Sequence, residues 1–159
     1  MKFYRVAGYV KLAKLWERSR EQAIKYHNEY YRNKFLDVPE MDLVDVFIDI
    51  TGSKHMRNRP QMIRLIAECM AGRVDCIATQ TVAYLAANNE DLFHLLHFLF
   101  SLDPPVHIVT EDENYHIDTI RNADNQMDAL MKMTSDFVKL NPAGYEKWKK
   151  DILQAVKKR

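Results

Sequence analysis

The sequence is short of most features that would mark a specialised environment. It carries two cysteines, Cys69 and Cys76. That count and spacing make neither a disulfide framework nor a metal site, so both read as buried thiols of a reducing compartment. No apolar run approaches the ~20 residues of a membrane span. No leader opens the chain, because Lys2 and Arg5 are followed by Gly8, Tyr9 and Lys11 rather than a long apolar stretch. Charge of one sign is not in excess either. The formal net charge is +1, so any affinity for a polyanion must come from a local patch. Internal repeats, low-complexity tracts and a second domain are also missing. These absences predict a cytoplasmic protein with no membrane partner and no cofactor.

What is present is the balance of an ordinary globular chain, 47% hydrophobic and 28% charged. The 159 residues form most simply one domain, able to bury roughly 70% of the surface its unfolded form exposes. Residues 3–12 read as a strand. Residues 15–33 read as an amphipathic helix, with Leu15, Trp16, Ala23, Tyr26 and Tyr30 recurring at near-helical spacing among charges. Residues 43–50 form a second strand and run into a basic, turn-forming loop, 51–60. Pro60 suits the first turn of a helix whose face carries Met62, Ile63, Ile66 and Met70, with Gly72 as its stop. Residues 74–79 are a third strand. Asn88 or Asn89 caps a helix through Ser101 with Leu92, Leu95, Leu96 and Leu99 on one side. Residues 106–110 are a fourth strand. A last long helix spans about 123–140, stopped by Asn141-Pro142-Ala143-Gly144, and a short basic helix closes the chain. Alternation of strands and helices predicts a three-layer α/β/α fold around a mainly parallel sheet of four to five strands.

Four segments carry a more specific likeness: RVAGYVKLA (5–13), ITGSKHMRNRPQM (50–62), AECMAGRVDCIATQTVAYLAANNEDL (67–92) and EDENYHIDT (111–119). In this order they resemble the catalytic domain of serine recombinases, the resolvase/invertase family, and in particular the large enzymes of mobile elements. The resemblance spans nearly all of residues 3–140 and implies a resolvase-like domain over 1–140. Residues 141–159 are then a basic helix or tail, and the family's separate DNA-binding domain is absent.

Enzymes of this family cut DNA with a serine hydroxyl and surround the phosphate with arginines. A phosphodiester is a poor electrophile, so it needs an activated nucleophile and cations that stabilise charge on its oxygens. The family pattern Tyr-x-Arg-x-Ser falls on Tyr9, Lys11 and Ala13. The pattern Ser-x-x-Arg-x-x-Arg-Asn falls on Thr81, Tyr84, Ala87 and Asn88. The nucleophile is thus replaced by Ala13 and both arginines of the second motif by Tyr84 and Ala87. Lys11 keeps a charge without the bidentate fork of arginine. Asp49, Arg59 and Gln22 are retained. Each lost transition-state donor costs on the order of 10²–10³ in rate, so these losses together leave no useful cleavage even when effects are not additive. Ser19, Ser53 and Thr81 are the neighbouring hydroxyls, and none has an evident base.

Lys54, His55, Arg57 and Arg59 cluster in the loop after the second strand. With Lys11 they are the candidate phosphate contacts, Arg59 foremost, or else a solvated loop beside a vacated site. Glu90, His94 and His97 share a helix face at a spacing that metal ligands use, but no fourth ligand is in view, and no metal is expected. In the family the long helix forms the dimer interface. Here Met127, Leu130, Met131, Thr134, Phe137 and Val138 make the corresponding stripe, which predicts a homo-oligomer, dimer or tetramer. The tail cations Lys147, Lys149, Lys150, Lys157, Lys158 and Arg159 either touch nucleic acid or are simply solvated.

The leading expectation is a catalytically inactive recombinase-like domain that oligomerises, associates with DNA through its backbone, or regulates an active recombinase. The alternatives are an active recombinase domain with a rearranged site, and a protein-interaction module with no DNA role.

Overall fold

A computed structural model describes residues 3–114, 116–121 and 126–159. Strand β1 (Tyr4–Leu12) lies in the interior of a four-stranded, all-parallel sheet of order β2-β1-β3-β4. Its partners are β2 (Met41–Ile50) and β3 (Cys76–Thr79), and β4 (His107–Thr110) completes the sheet beyond β3. Alternation along β1 sends Val6 and Val10 to one face and Ala7 and Tyr9 to the other, and all four are buried. A strand apolar on both faces needs cover on both, and helices supply it.

Helix α1 (Arg20–Phe35) covers the first face with Tyr31 and Phe35. Gly8 permits the approach, because a Cβ there would sit 3.0 Å from the Tyr31 ring. The expected apolar stripe of this helix is corrected by the structure. Its buried face is Ala23, His27, Tyr31 and Phe35, four residues apart, while Leu15, Trp16 and Tyr26 face solvent. Leu15 and Trp16 belong to a separate 3-10 turn, Lys14–Ser19, that precedes the helix.

Helices α2 (Pro60–Met70), α4 (Asn89–Phe100) and α6 (Pro142–Lys158) bury Met62, Leu95, Leu99 and Ile152 in the cluster on the opposite face. Between them lies a four-residue helix, α3 (Val82–Leu85). Gly72, at a φ of 75°, ends α2 in the left-handed conformation while Arg73 N–H reaches back to the Glu68 carbonyl. The outer edge of β4 is paired with the returning segment, through Thr110 N–H to Ile117 O and Thr119 N–H to Ile108 O.

Helix α5 runs over Gln126–Leu140; the expected start near Ala123 lies outside the described residues. Asn141 ends α5 and opens α6 at once. Its side chain accepts from Gly144 N–H and Pro142 follows at the first helical position, so the break expected there is also a helix start. The closing helix is therefore longer than its basic residues suggested, and Tyr145 and Ile152 dock it into the core.

Candidate functional site

The chain leaves β1 through α1 toward β2, then returns to place β3 on the other side of β1. This reversal of strand order makes the carboxyl ends of β1 and β3 a switch point, where open α/β sheets bind ligands in the crevice between diverging connections. Ala13 directly follows β1 at that point, exposed, and its carbonyl accepts from Trp16 N–H at 3.0 Å. Tyr84 arrives from the connection after β3. Strand register sets Lys11 beside Asp49. The sequence-predicted positions 11, 13, 49 and 84 therefore gather at one end of the sheet.

On the α2 side, that end is closed by a buried polar network. Asp49 is 3% exposed. Its carboxylate accepts from Gln61 N–H at 2.9 Å, from Met62 N–H at 2.9 Å and from the Tyr9 hydroxyl at 2.8 Å. It thus caps α2 from another element, satisfying donors that the first helical turn leaves unpaired and placing negative charge at the positive end of the helix. Burial, reinforced by the Asp49 charge and opposed by that of Arg59, pushes the Tyr9 phenol far above its usual range, so it stays protonated. Arg59 is 1% exposed. Its guanidinium donates to the carbonyls of Tyr84 at 2.9 Å, Leu85 at 3.2 Å and Ser53 at 3.4 Å. The expectation that Arg59 is the foremost phosphate contact does not fit this placement. It is a buried tether between the 51–60 loop and the connection after β3, with Nε and Nη1 engaged by backbone carbonyls.

The other loop cations differ. Lys54 is exposed. Arg57 is exposed but holds Asp151 of α6 at 3.2 Å, a carboxylate it shares with Lys147 at 3.4 Å. The basic loop and the basic terminal helix are thereby joined. Lys11 is partly buried, and Gln22 and Ala87 are exposed. Asn88 caps α4 through Asp91 N–H. Of the neighbouring hydroxyls, Ser53 donates to the His55 carbonyl and Thr81 caps α3 by accepting from Ala83 N–H. Ser19 sits at the start of α1 without a side-chain cap bond. Among the described residues none of the three is hydrogen-bonded to an imidazole or carboxylate that would act as its base.

His94 is buried among Phe137, Tyr145 and Trp148, and His97 meets Thr134 Oγ1 at 3.3 Å and the Tyr145 ring. Desolvation lowers the pKa of both. Among the described residues no group of three or more His, Cys, Asp or Glu side chains is placed to hold a metal ion. The stripe expected to form a dimer interface is also placed differently. Thr134 is fully buried, Phe137 packs on Phe93, and Met127, Leu130, Met131 and Val138 pack against the core of their own chain. The large apolar side chains that α5 presents to solvent are Met133 and Leu140.

On the α1 side, the same end of the sheet is open. Leu12, Trp16, Gln22, Tyr26, His27 and Tyr84 surround a cavity of about 470 Å³. Its aromatic lining escaped the sequence reading because Trp16 and Tyr26 occur at spacings typical of core residues. The one signal that could have separated them is the β1 and β2 pattern, whose two-sided burial leaves α1 room for a single inward row.

No curated protein sequence matches this chain. Two solved structures share its fold. The N-terminal catalytic domain of TP901-1 integrase is 18% identical with a TM-score of 0.59, covering 86% of this chain and 98% of that one. The C-terminal catalytic domain of ISC1926 TnpA, an IS607-like serine recombinase, is 18% identical with a TM-score of 0.53, covering 97% of each. The family model described as "Resolvase, N terminal domain" matches residues 16–159. That span begins after Ala13, so the equivalence of Ala13 to the family nucleophile rests on its position at the end of β1. With the sheet order, the switch-point geometry and a family match over most of its length, the chain belongs to the resolvase N-terminal domain family and has the fold of a serine recombinase catalytic domain.

Proposed function

We propose that this chain is a recombinase-like domain that does not cleave DNA and acts as an oligomerising or regulatory DNA-associated protein in the cytoplasm. The observation that carries the reading is Ala13. At the switch point where a nucleophile would stand, the side chain is a methyl group, and Tyr84 and Ala87 supply no cation beside it. Support comes also from the retained polar residues, since Asp49 and Arg59 are consumed by hydrogen bonds inside the fold. In this reading residues 1–140 are the resolvase-like unit and 141–159 a basic helix that docks onto it. Lys11, Lys54 and Arg57 make backbone contacts to DNA phosphates, which position without reading sequence. Self-association uses the exposed side of α5, around Met133 and Leu140, and the partner is a second copy or an active recombinase.

The test is covalent capture on supercoiled plasmid after denaturation. Wild type gives no protein–DNA adduct, and Ala13→Ser alone gives none either, because the arginine positions stay empty. An adduct from wild type that disappears on Ser19→Ala or Ser53→Ala would establish the rearranged, active site instead. Duplex binding measured against salt separates the remaining alternative. Three to six phosphate contacts give a log–log slope of roughly −3 to −5, and a protein-interaction module gives no binding at low salt.

A further inference from the structure

The cavity on the α1 side of the switch point has no use in the proposed function as it stands. Its volume of about 470 Å³ lies within the range of small-molecule sites, about 300–1,000 Å³. Three of its properties restrict the occupant. The walls are aromatic and face water, since Trp16 is 51% and Tyr26 60% exposed, and Tyr84 closes the side toward β3. The lining also includes a histidine. His27 is 8% exposed and its Nδ1 has no hydrogen-bond partner among the described residues. Desolvation lowers the His27 pKa, which keeps the ring neutral near pH 7, with one nitrogen donating and the other accepting. The His27 Nδ1 has almost no accessible surface, so an occupant meets the ring and not this atom. Gln22 adds an exposed amide on the same helix face, able both to donate and to accept. Finally, Lys14, Arg18 and Lys25 flank these residues in sequence, are exposed, and form no ion pair among the described residues.

An apolar side chain from a protein partner would leave the Gln22 amide unsatisfied. A bare phosphate would meet ring faces where it needs donors. A flat heteroaromatic ring with a hydrogen-bonding edge and an anionic tether satisfies all three properties. Bases within a duplex cannot present their faces in this way, because they are stacked on one another. We propose that the pocket binds an unstacked nucleobase of single-stranded DNA. The ring lies against Trp16 and Tyr26, its polar edge meets Gln22, and the adjoining phosphates run along Lys14, Arg18 and Lys25. The proposal rests on the DNA association argued above and gives it a preferred form of DNA. The vacated phosphodiester site has become a base-stacking site.

Fluorescence anisotropy of the full chain with a short labelled oligothymidylate, the matching duplex as competitor and thymidine monophosphate as a second competitor tests it. The single strand is expected to bind on the order of 10-fold tighter than the duplex. Trp16→Ala and Tyr26→Ala should each lose on the order of 10-fold in single-strand affinity with duplex binding unchanged, and Trp16→Phe and Tyr26→Phe should retain most of it. Both side chains are exposed, so the variants keep the fold. Single-strand affinity unchanged in Trp16→Ala and Tyr26→Ala would overturn the proposal. Mononucleotide competition as strong as that of the oligonucleotide would overturn it too, by assigning the pocket to free nucleotides. Duplex binding that persists in either case leaves the DNA-associated reading standing, whereas absence of binding to both strands and duplex removes both readings together.

Discussion

The two sides of the sheet's carboxyl end have the same ancestry and opposite character. On the α2 side, Tyr9, Asp49 and Arg59 are buried and hydrogen-bonded within the fold. On the α1 side, Trp16, Tyr26, His27 and Tyr84 surround open space, with a ring nitrogen unpaired. The difference teaches that retention of a residue type at a family position does not imply retention of its chemistry. Asp49 and Arg59 persist because α2 and the loop before it depend on them for their attachment, and that dependence would hold them in place with or without a nucleophile. The open side carries no such structural duty.

The largest expected effect comes from breaking the closed side. Asp49→Ala orphans the Tyr9 hydroxyl and the N–H groups of Gln61 and Met62. At about 1–3 kcal/mol for each unsatisfied buried group, the total loss is at least ~3 kcal/mol, read as a drop in the urea midpoint. A loss under 1 kcal/mol would show that the network is dispensable and the comparison false. An intermediate effect comes from acid. His27, His94 and His97 all have pKa values held below the ordinary 6.5 by burial. The unfolded chain therefore takes up protons before the folded one does, so stability is full above about pH 6.5 and falls as the pH drops below it. Urea midpoints at about pH 7.5 and pH 5.5 should show this fall, and His27→Phe should remove the share that belongs to the open side. A midpoint that rises on acidification would contradict the burial of these rings. The smallest effect is on the open rim. Tyr26→Ala should change stability by no more than about 0.5 kcal/mol, as exposed positions do, which the same denaturation series reads.

Most of the fold was legible because it is written in short-range patterns. The longer strands β1 and β2 announce themselves by apolar runs such as VDVFIDI, and Pro60 and Asn88 mark helix starts by their local chemistry. The four-residue α3 was not legible, since one turn carries no periodicity. The fold-back at Asn141 was half legible: Pro142 and Gly144 signal an end, and the same residues serve a beginning. The site divides in the same way. Positions 11, 13, 49 and 84 lie at the same end of the sheet. The roles of Asp49 and Arg59 were hidden because their partners lie far along the chain and are mainly backbone groups, which no residue letter records. The inward turn of Thr134 and its neighbours was hidden for another reason. An apolar stripe specifies that a helix must be covered, and α4 of the same chain does the covering.

The unequal finish of the two sheet borders has its own bearing on how copies of this chain meet. The returning segment Ile117–Thr119 occupies the hydrogen-bonding groups along β4, so no foreign strand can add there without displacing it. At the opposite border β2 carries Asp42 and Asp45 with their side chains in solvent. Asp42 leaves a carboxylate on that border, while Asp45 is paired with Arg64 at 3.2 Å, and charged side chains on an edge discourage ribbon growth. Sheet extension is thereby closed at β4 and disfavoured at β2.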